Sequence, residues 1–121
     1  MEIGELRINN ILNFQIRKTV KQGIITGLSK KRIVFDDSFS LNIKSENIQP
    51  IPLTSEWLEK LGFKAIKSIY FLNKDFNLLE TGDGVFESLD VRHGVAVKLY
   101  YIHELQNLYY CLTKKELKIN E

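Results

Sequence analysis

The chain has few of the residues that mark covalent cross-links, metal sites or membrane spans. Among its 121 residues are one cysteine, two histidines and two prolines. A single cysteine excludes an intramolecular disulfide and favours a cytoplasmic setting. No run approaches the ~18 apolar residues that a membrane helix needs, and the first ten residues lack the basic-then-apolar order of a signal peptide. The sequence therefore predicts a cytoplasmic protein without a membrane partner.

An excess of one charge is also missing. The 17 basic and 15 acidic side chains leave a formal net charge of +2, which is too small to indicate an extended phosphate-binding surface but is compatible with a local basic patch. The chain length is that of one globular domain. We predict a single domain over 1–121, with a β-rich half (1–49) and an α-ββββ-α half (50–121).

Short alternating and β-branched segments dominate the first half. The segments "RIVFDD" and "SFSLNI" flank a polar turn, which is typical of a hairpin. In the second arm Phe39, Leu41 and Ile43 would share one face. Together with "LRINNILNF" and "GIITGL", these segments predict four or five short strands. We expect a small β-meander or SH3-like barrel.

The segment "PIPLTSEWLEKLGF" (50–63) carries the clearest local signals. Its two prolines keep the chain extended, Thr54 is a favourable N-cap, and Gly62 suits the left-handed position that ends a helix. We predict a two-turn helix over 55–61.

Four further extended segments and a second helix complete the predicted α+β fold. The extended segments in 65–102 are "KSIYFLN", "FNLLE", "VFESLD" and "GVAVKLYYI", separated by turn residues. They predict a four-stranded antiparallel meander between the two helices. The second helix is predicted from an apolar stripe at i, i+3, i+4 and i+7: Leu105, Leu108, Tyr109 and Leu112. Cys111 is expected to pack beside this stripe as a small hydrophobe.

Two segments resemble a group of short proteins from Bacteroidota and their phages and mobile elements. They are 50–63 and "YYIHELQNLYYCLTKKEL" (100–117), and members of the group carry close matches to "PIPLTEEWLLKFGF" and "HQLQNLYFALTGEEL". This chain departs from the group at Glu104, where Gln is usual, and at Lys114 and Lys115, where Gly-Glu is usual. The resemblance implies a phage or bacterial cytoplasmic context. It implies no activity and no catalytic residues.

No sequence motif indicates catalysis. The chain has no nucleophile elbow, dinucleotide fingerprint, phosphate loop or HExxH motif. Cys111 and His103 are eight residues apart on the predicted helix, about 80° apart in direction, and cannot pair. Two histidines and one cysteine match no known metal-site spacing. We predict no catalytic residue, metal or cofactor, so an enzyme acting on nucleotides or phosphoesters is the least favoured hypothesis.

The polar face of the second helix and the turn before the last strand supply candidate binding residues. Their side chains can stack on a base, hold an anion or contact another protein. The predicted ligand or partner site has six members: Arg92, His93, Tyr101, His103, Gln106 and Tyr110. In the alternative interpretation, Gln106 and Asn107 cap sheet edges and the tyrosines fill gaps in the core.

Two binding hypotheses follow. The first is a small non-catalytic binding protein of phage or mobile-element type. It would sequester a host protein or a nucleotide-like signalling molecule as counter-defence, and a homo-oligomer is compatible with it. The second is a nucleic-acid-binding module that uses the N-terminal barrel, with phosphate contacts from Lys30, Lys31 and Arg32. A basic turn of this kind is also typical of a solvated hairpin tip that discourages edge pairing.

Overall fold

The computed structural model of the protein describes residues 6–72, 76–82, 84–88 and 97–119. Within these ranges the chain forms two antiparallel five-stranded sheets and two helices, which confirms the predicted mixture of helix and strand. Neither described helix is long and apolar enough to cross a membrane.

The first sheet curls into a half-barrel. Its strand order is β4-β3-β2-β1-β5. The strands are β1 (Ile11–Ile16), β2 (Thr19–Leu28), β3 (Arg32–Phe35), β4 (Phe39–Asn42) and β5 (Ile48–Gln49). The long β2 pairs with β1 at one end and with β3 at the other, and its pairing shifts register between Ile25 and Gly27. Such an irregularity increases the local bend of a strand.

The interior of the half-barrel is built around aromatic rings. Phe14 and Phe35 are stacked with centroids 4.4 Å apart and ring planes at 13°. A Cβ atom at Gly23 would overlap the ring of Phe14, so this point of β2 accommodates only a residue without a side chain. The predicted shared face of β4 and the residue after it is confirmed, and it packs against the same cluster: Phe39, Leu41 and Ile43.

Helix α1 (Ser55–Lys60) follows its capping signals. The Oγ1 of Thr54 accepts the backbone N–H of the third helical residue at 3.2 Å. At the other end Gly62 has φ +97°, and the Phe63 N–H donates to the Leu58 carbonyl oxygen at 2.9 Å, which is the Schellman closure. The predicted helix is confirmed, and it ends one residue earlier than expected.

The second sheet contains five strands rather than the four predicted. In the order β10-β9-β8-β7-β6, its members are β6 (Lys64–Ile66), β7 (Ile69–Phe71), β8 (Asn77–Gly82), β9 (Val85–Ser88) and β10 (Lys98–Leu99). The additional strand arises because Lys67 adopts φ +57° and reverses the chain. The predicted strand "KSIYFLN" therefore begins as a turn.

Helix α2 (Ile102–Thr113) contacts β1 and β10. Leu105 is fully buried, and Tyr109 lies edge-on to the ring of Phe76 with centroids 5.1 Å apart. Leu112 is 41% exposed and Cys111 is exposed, so the predicted packing of these two residues is wrong. On this helix the apolar cluster takes in Leu105, Leu108 and Tyr109 but neither Cys111 nor Leu112.

The buried apolar side chains of the described residues form two clusters, and β1 contributes to both. Ile11 belongs to the cluster around the helices and the second sheet. Leu12 and Phe14 belong to the cluster inside the half-barrel, because successive side chains of a strand point to opposite faces. Backbone hydrogen bonds also join 51–53 to 100–102. The junction between the two clusters is where the candidate site lies.

Candidate functional site

A cleft of about 570 Å³ opens between the half-barrel and the first turn of α2. One wall comes from 43–50, the segment that runs from the end of β4 past β5. The other wall comes from Tyr101, His103 and Glu104. This volume lies within the roughly 300–1,000 Å³ range of small-ligand sites.

Local hydrogen bonds shape the wall formed by 43–50. The Lys44 N–H donates to Asn42 Oδ1 at 2.9 Å, and the Asn47 N–H donates to Ser45 Oγ at 3.1 Å. Asn and Ser favour turns because their side chains bond the backbone two residues on. Ile48 is 6% exposed and anchors this wall in the half-barrel cluster.

Glu104 holds the opposite wall in place. Its Oε1 accepts the backbone N–H groups of Tyr100 at 2.9 Å and of Tyr101 at 3.0 Å. This is the acidic half of a capping box, which satisfies donors that a helix start leaves open. This role of Glu104 was not predicted from the sequence, although a glutamate three residues after a helix cap is typical of a capping box. A glutamine there would offer the same acceptor oxygen.

Tyr101 and His103, both predicted site residues, meet at the cleft. Their rings are stacked, with centroids 5.9 Å apart and planes at 16°. His103 is 1% exposed and Tyr101 is 37% exposed, so the tyrosine covers the histidine and presents its ring towards solvent. The neighbouring Tyr100 is 44% exposed but is not part of the cleft lining.

Gln106 lies in the interior and not at the cleft. It is 1% exposed, and its Oε1 accepts the Ile11 N–H at 2.8 Å. Its Nε2 donates to the carbonyl oxygens of Asn9 at 2.9 Å and Leu117 at 3.2 Å. The amide thus ties the start of β1 and the C-terminal segment to α2. This geometry corresponds to the alternative interpretation, in which Gln106 satisfies a sheet edge.

Tyr110 belongs to a cluster that joins the segment before β1 to the C-terminal part of α2 and the residues after it. The guanidinium of Arg7 lies 4.4 Å from the centroid of its ring. Arg7 also forms an ion pair with Glu116 and donates from Nε to Asn107 Oδ1 at 3.1 Å. Tyr110 is seven residues beyond His103, about 10 Å further along the helix. No local pattern in the sequence predicts this role of Arg7, because the partners of its side chain are roughly a hundred positions away in the chain.

The basic turn between β2 and β3 adjoins the cleft. Lys30, Lys31 and Arg32 are all exposed. The guanidinium of Arg32 donates to Ser40 on β4, from Nε to Oγ at 2.7 Å and from Nη2 to the carbonyl oxygen at 2.9 Å. The Lys31 carbonyl oxygen accepts the N–H of Ile43 at 2.8 Å, and Ile43 is the first residue of the cleft wall.

The lining of the cleft combines charged, polar and apolar side chains with the ring of Tyr101. One ammonium group, of Lys44, and two carboxylates, of Glu46 and Glu104, line the cleft. The remaining lining includes the polar side chains of Ser45 and Gln49, the rings of Tyr101 and Pro50, and two isoleucines that also pack in the half-barrel cluster. In the described part of the chain, no group of three or more His, Cys, Asp or Glu is arranged to hold a metal ion.

The predicted binding residues that the structure describes divide among three places. Tyr101 and His103 meet at the cleft, Gln106 lies inside, and Tyr110 joins the cluster around Arg7. Arg92 and His93 lie outside the described residues, so their place at the site stays a prediction. No protein-family model, curated protein or solved structure matches this chain.

Proposed function

We propose that the protein is a non-catalytic binding protein that holds the planar group of a nucleotide-like molecule in the cleft. The observation that carries this proposal is the ring of Tyr101, exposed at the cleft and backed by His103 at 5.9 Å. A ring already stacked on one side is held in orientation, and it can stack on a nucleobase with its open surface. Stacking of one base on an aromatic side chain contributes about 1–3 kcal/mol.

The resemblance supplies the biological setting of the proposal. In a bacterial cytoplasm, in a phage or mobile-element context, such a protein would sequester a nucleotide-like signalling molecule and act in counter-defence. This step is supported only by the resemblance of 50–63 and 100–117. A host protein is the other partner that the sequence indicates, and a homo-oligomer is compatible with either.

We also propose that the half-barrel is of the SH3-like class. This is supported by the long β2, which is shared between two pairings and bends at its register shift. It is also supported by β5, which returns antiparallel to β1 and extends the curl. The strand order of the second sheet likewise supports the assignment of a simple antiparallel meander.

Titration of adenosine and adenosine monophosphate, followed by ligand-observed NMR, tests the stacking site. Tyr101→Ala should weaken binding about tenfold, since tenfold corresponds to ~1.4 kcal/mol and lies within the range measured for stacking. Tyr101→Phe should retain binding because it keeps the ring. Tyr100→Ala is the matched control, since Tyr100 is also exposed but does not line the cleft.

Two results would count against the proposal. One is the absence of binding by either probe, and the other is equal affinity in wild type and Tyr101→Ala. Native mass spectrometry of protein purified from its host gives a second test. A retained nucleotide-sized mass would support the stacking site, whereas a retained protein would favour the host-protein partner instead.

A further inference from the structure

We infer that the planar group in the cleft is a base of a single-stranded nucleic acid whose phosphates lie across the basic turn Lys30–Arg32. This inference rests on the proposed stacking site and names the chemical class of its ligand. It joins two features that the sequence presented separately, the aromatic residue before α2 and the cationic turn of the half-barrel.

The charge inside the cleft argues against a phosphate bound there. The carboxylates of Glu46 and Glu104 outnumber the ammonium group of Lys44, and like charges repel phosphate most strongly where water is partly excluded. The base is therefore the part of a nucleotide that suits the cleft. Its phosphate must lie outside, where cations are available.

The backbone that carries three such cations is joined to the cleft wall. The hydrogen bond from the Ile43 N–H to the Lys31 carbonyl oxygen, 2.8 Å long, joins the turn to the cleft wall. Three cationic residues stand at that bond or one residue from it and do not line the cleft: Lys30, Lys31 and Arg32. The pair of bonds from Arg32 to Ser40 fixes its guanidinium on the strand surface. A cationic track beside an aromatic ring is the combination that binds single strands without sequence preference.

A single strand suits this geometry better than a duplex. A base that stacks on Tyr101 must leave its neighbours and enter the cleft, which an unpaired base does readily. In a duplex the same step requires unpairing and unstacking at a cost of a few kcal/mol. The duplex is therefore the discriminating competitor.

Fluorescence anisotropy with a labelled eight-nucleotide oligodeoxyadenylate tests the inference. With three phosphate contacts, log affinity should fall against log salt with a slope of about −2, at roughly −0.7 per contact. The double variant Lys30→Ala/Lys31→Ala should lose about 1.4 of that slope and about tenfold in affinity. It should bind adenosine as wild type does, whereas Tyr101→Ala should weaken both ligands.

The matched control is Lys64→Ala/Lys98→Ala, which removes two exposed lysines from the second sheet. It should leave oligonucleotide binding unchanged. The inference is wrong if the oligonucleotide binds no more tightly than adenosine, if the Lys30/Lys31 variant matches wild type, or if a twelve-base-pair duplex binds equally well. In each case continued Tyr101-dependent binding of adenosine would leave the proposed stacking site standing. If the wild-type protein bound neither the oligonucleotide nor adenosine, both the further inference and the proposed stacking site would be wrong.

Discussion

At the scale of single residues, Gln106 shows how one buried side chain joins distant parts of the chain. Its amide accepts from Ile11 and donates to the carbonyl oxygens of Asn9 and Leu117. Buried backbone groups of this kind need partners, and leaving one unpaired costs about 1–3 kcal/mol. The amide therefore stabilises the fold through three backbone groups that would otherwise be buried without partners.

Gln106→Glu tests this role without changing the volume of the side chain. The substitution replaces the donating Nε2 with an oxygen that faces the carbonyl oxygens of Asn9 and Leu117. We expect the free energy of unfolding to fall by at least about 2 kcal/mol, measured by urea denaturation. Gln22→Glu, on the exposed surface of β2, is the control and should change it by less than about 0.5 kcal/mol. Similar shifts in the two variants would contradict the role.

The candidate site could be predicted from the sequence only in part, for a reason visible at Gln106. The i, i+3, i+4 spacing identified a polar stripe that includes His103 and Gln106. Spacing does not report whether such a stripe faces solvent or a sheet edge, because two of the bonding partners of Gln106, Asn9 and Ile11, lie more than ninety residues away. The cleft wall at 43–50 had no motif, and the pairing of Arg7 with Glu116 had no local signal at all.

At the scale of elements, a helix or strand could be predicted from the sequence when the residues that define its ends lie close together in the chain. Helix α1 was predicted closely because its cap at Thr54 and its terminator at Gly62 lie within nine residues of each other. The β6–β7 hairpin was not predicted because its turn depends on a positive φ at Lys67. Lysine rarely adopts this conformation, so its presence in the sequence does not indicate a turn. β5 is two residues long, too short to carry a periodic pattern.

Gly62→Ala tests whether the end of α1 depends on its left-handed residue. At φ +97° a Cβ atom costs about 1–2 kcal/mol, so we expect a loss of that size in the free energy of unfolding. Gly82→Ala is the matched control, since a Cβ there meets nothing within 4 Å and its φ is not positive. If the two alanine variants were equally stable, the Schellman closure would not be what ends α1.

At the scale of the whole molecule, β1 is the strand on which the two halves depend. Its alternate faces supply Ile11 to one apolar cluster and Leu12 and Phe14 to the other. The Gln106 amide and the ion pair of Arg7 with Glu116 fasten the same region to α2 and to the C-terminal segment. Loss of order in the half-barrel should therefore disturb the packing of the second sheet, and the cleft between them should exist only when both are folded.

This cooperativity can be tested with Ile33→Ala, followed through Trp57. Ile33 is fully buried in the half-barrel cluster, so the substitution should cost about 2–5 kcal/mol. Trp57, the only tryptophan, packs on the other cluster and reports the second half by fluorescence. If the chain unfolds as one unit, its fluorescence transition should move with the far-UV circular dichroism transition and by the same amount.

The control for this experiment is Val20→Ala, at a side chain that is 62% exposed on β2 and should move neither transition. Two separate transitions, with Trp57 unchanged by Ile33→Ala, would mean that the halves unfold independently and that the single domain predicted over 1–121 is wrong.

A common transition would have a functional consequence. Because the walls of the cleft come from both halves, any ligand bound there would stabilise the entire chain, and adenosine or oligonucleotide should then raise the midpoint reported by Trp57 and by circular dichroism equally.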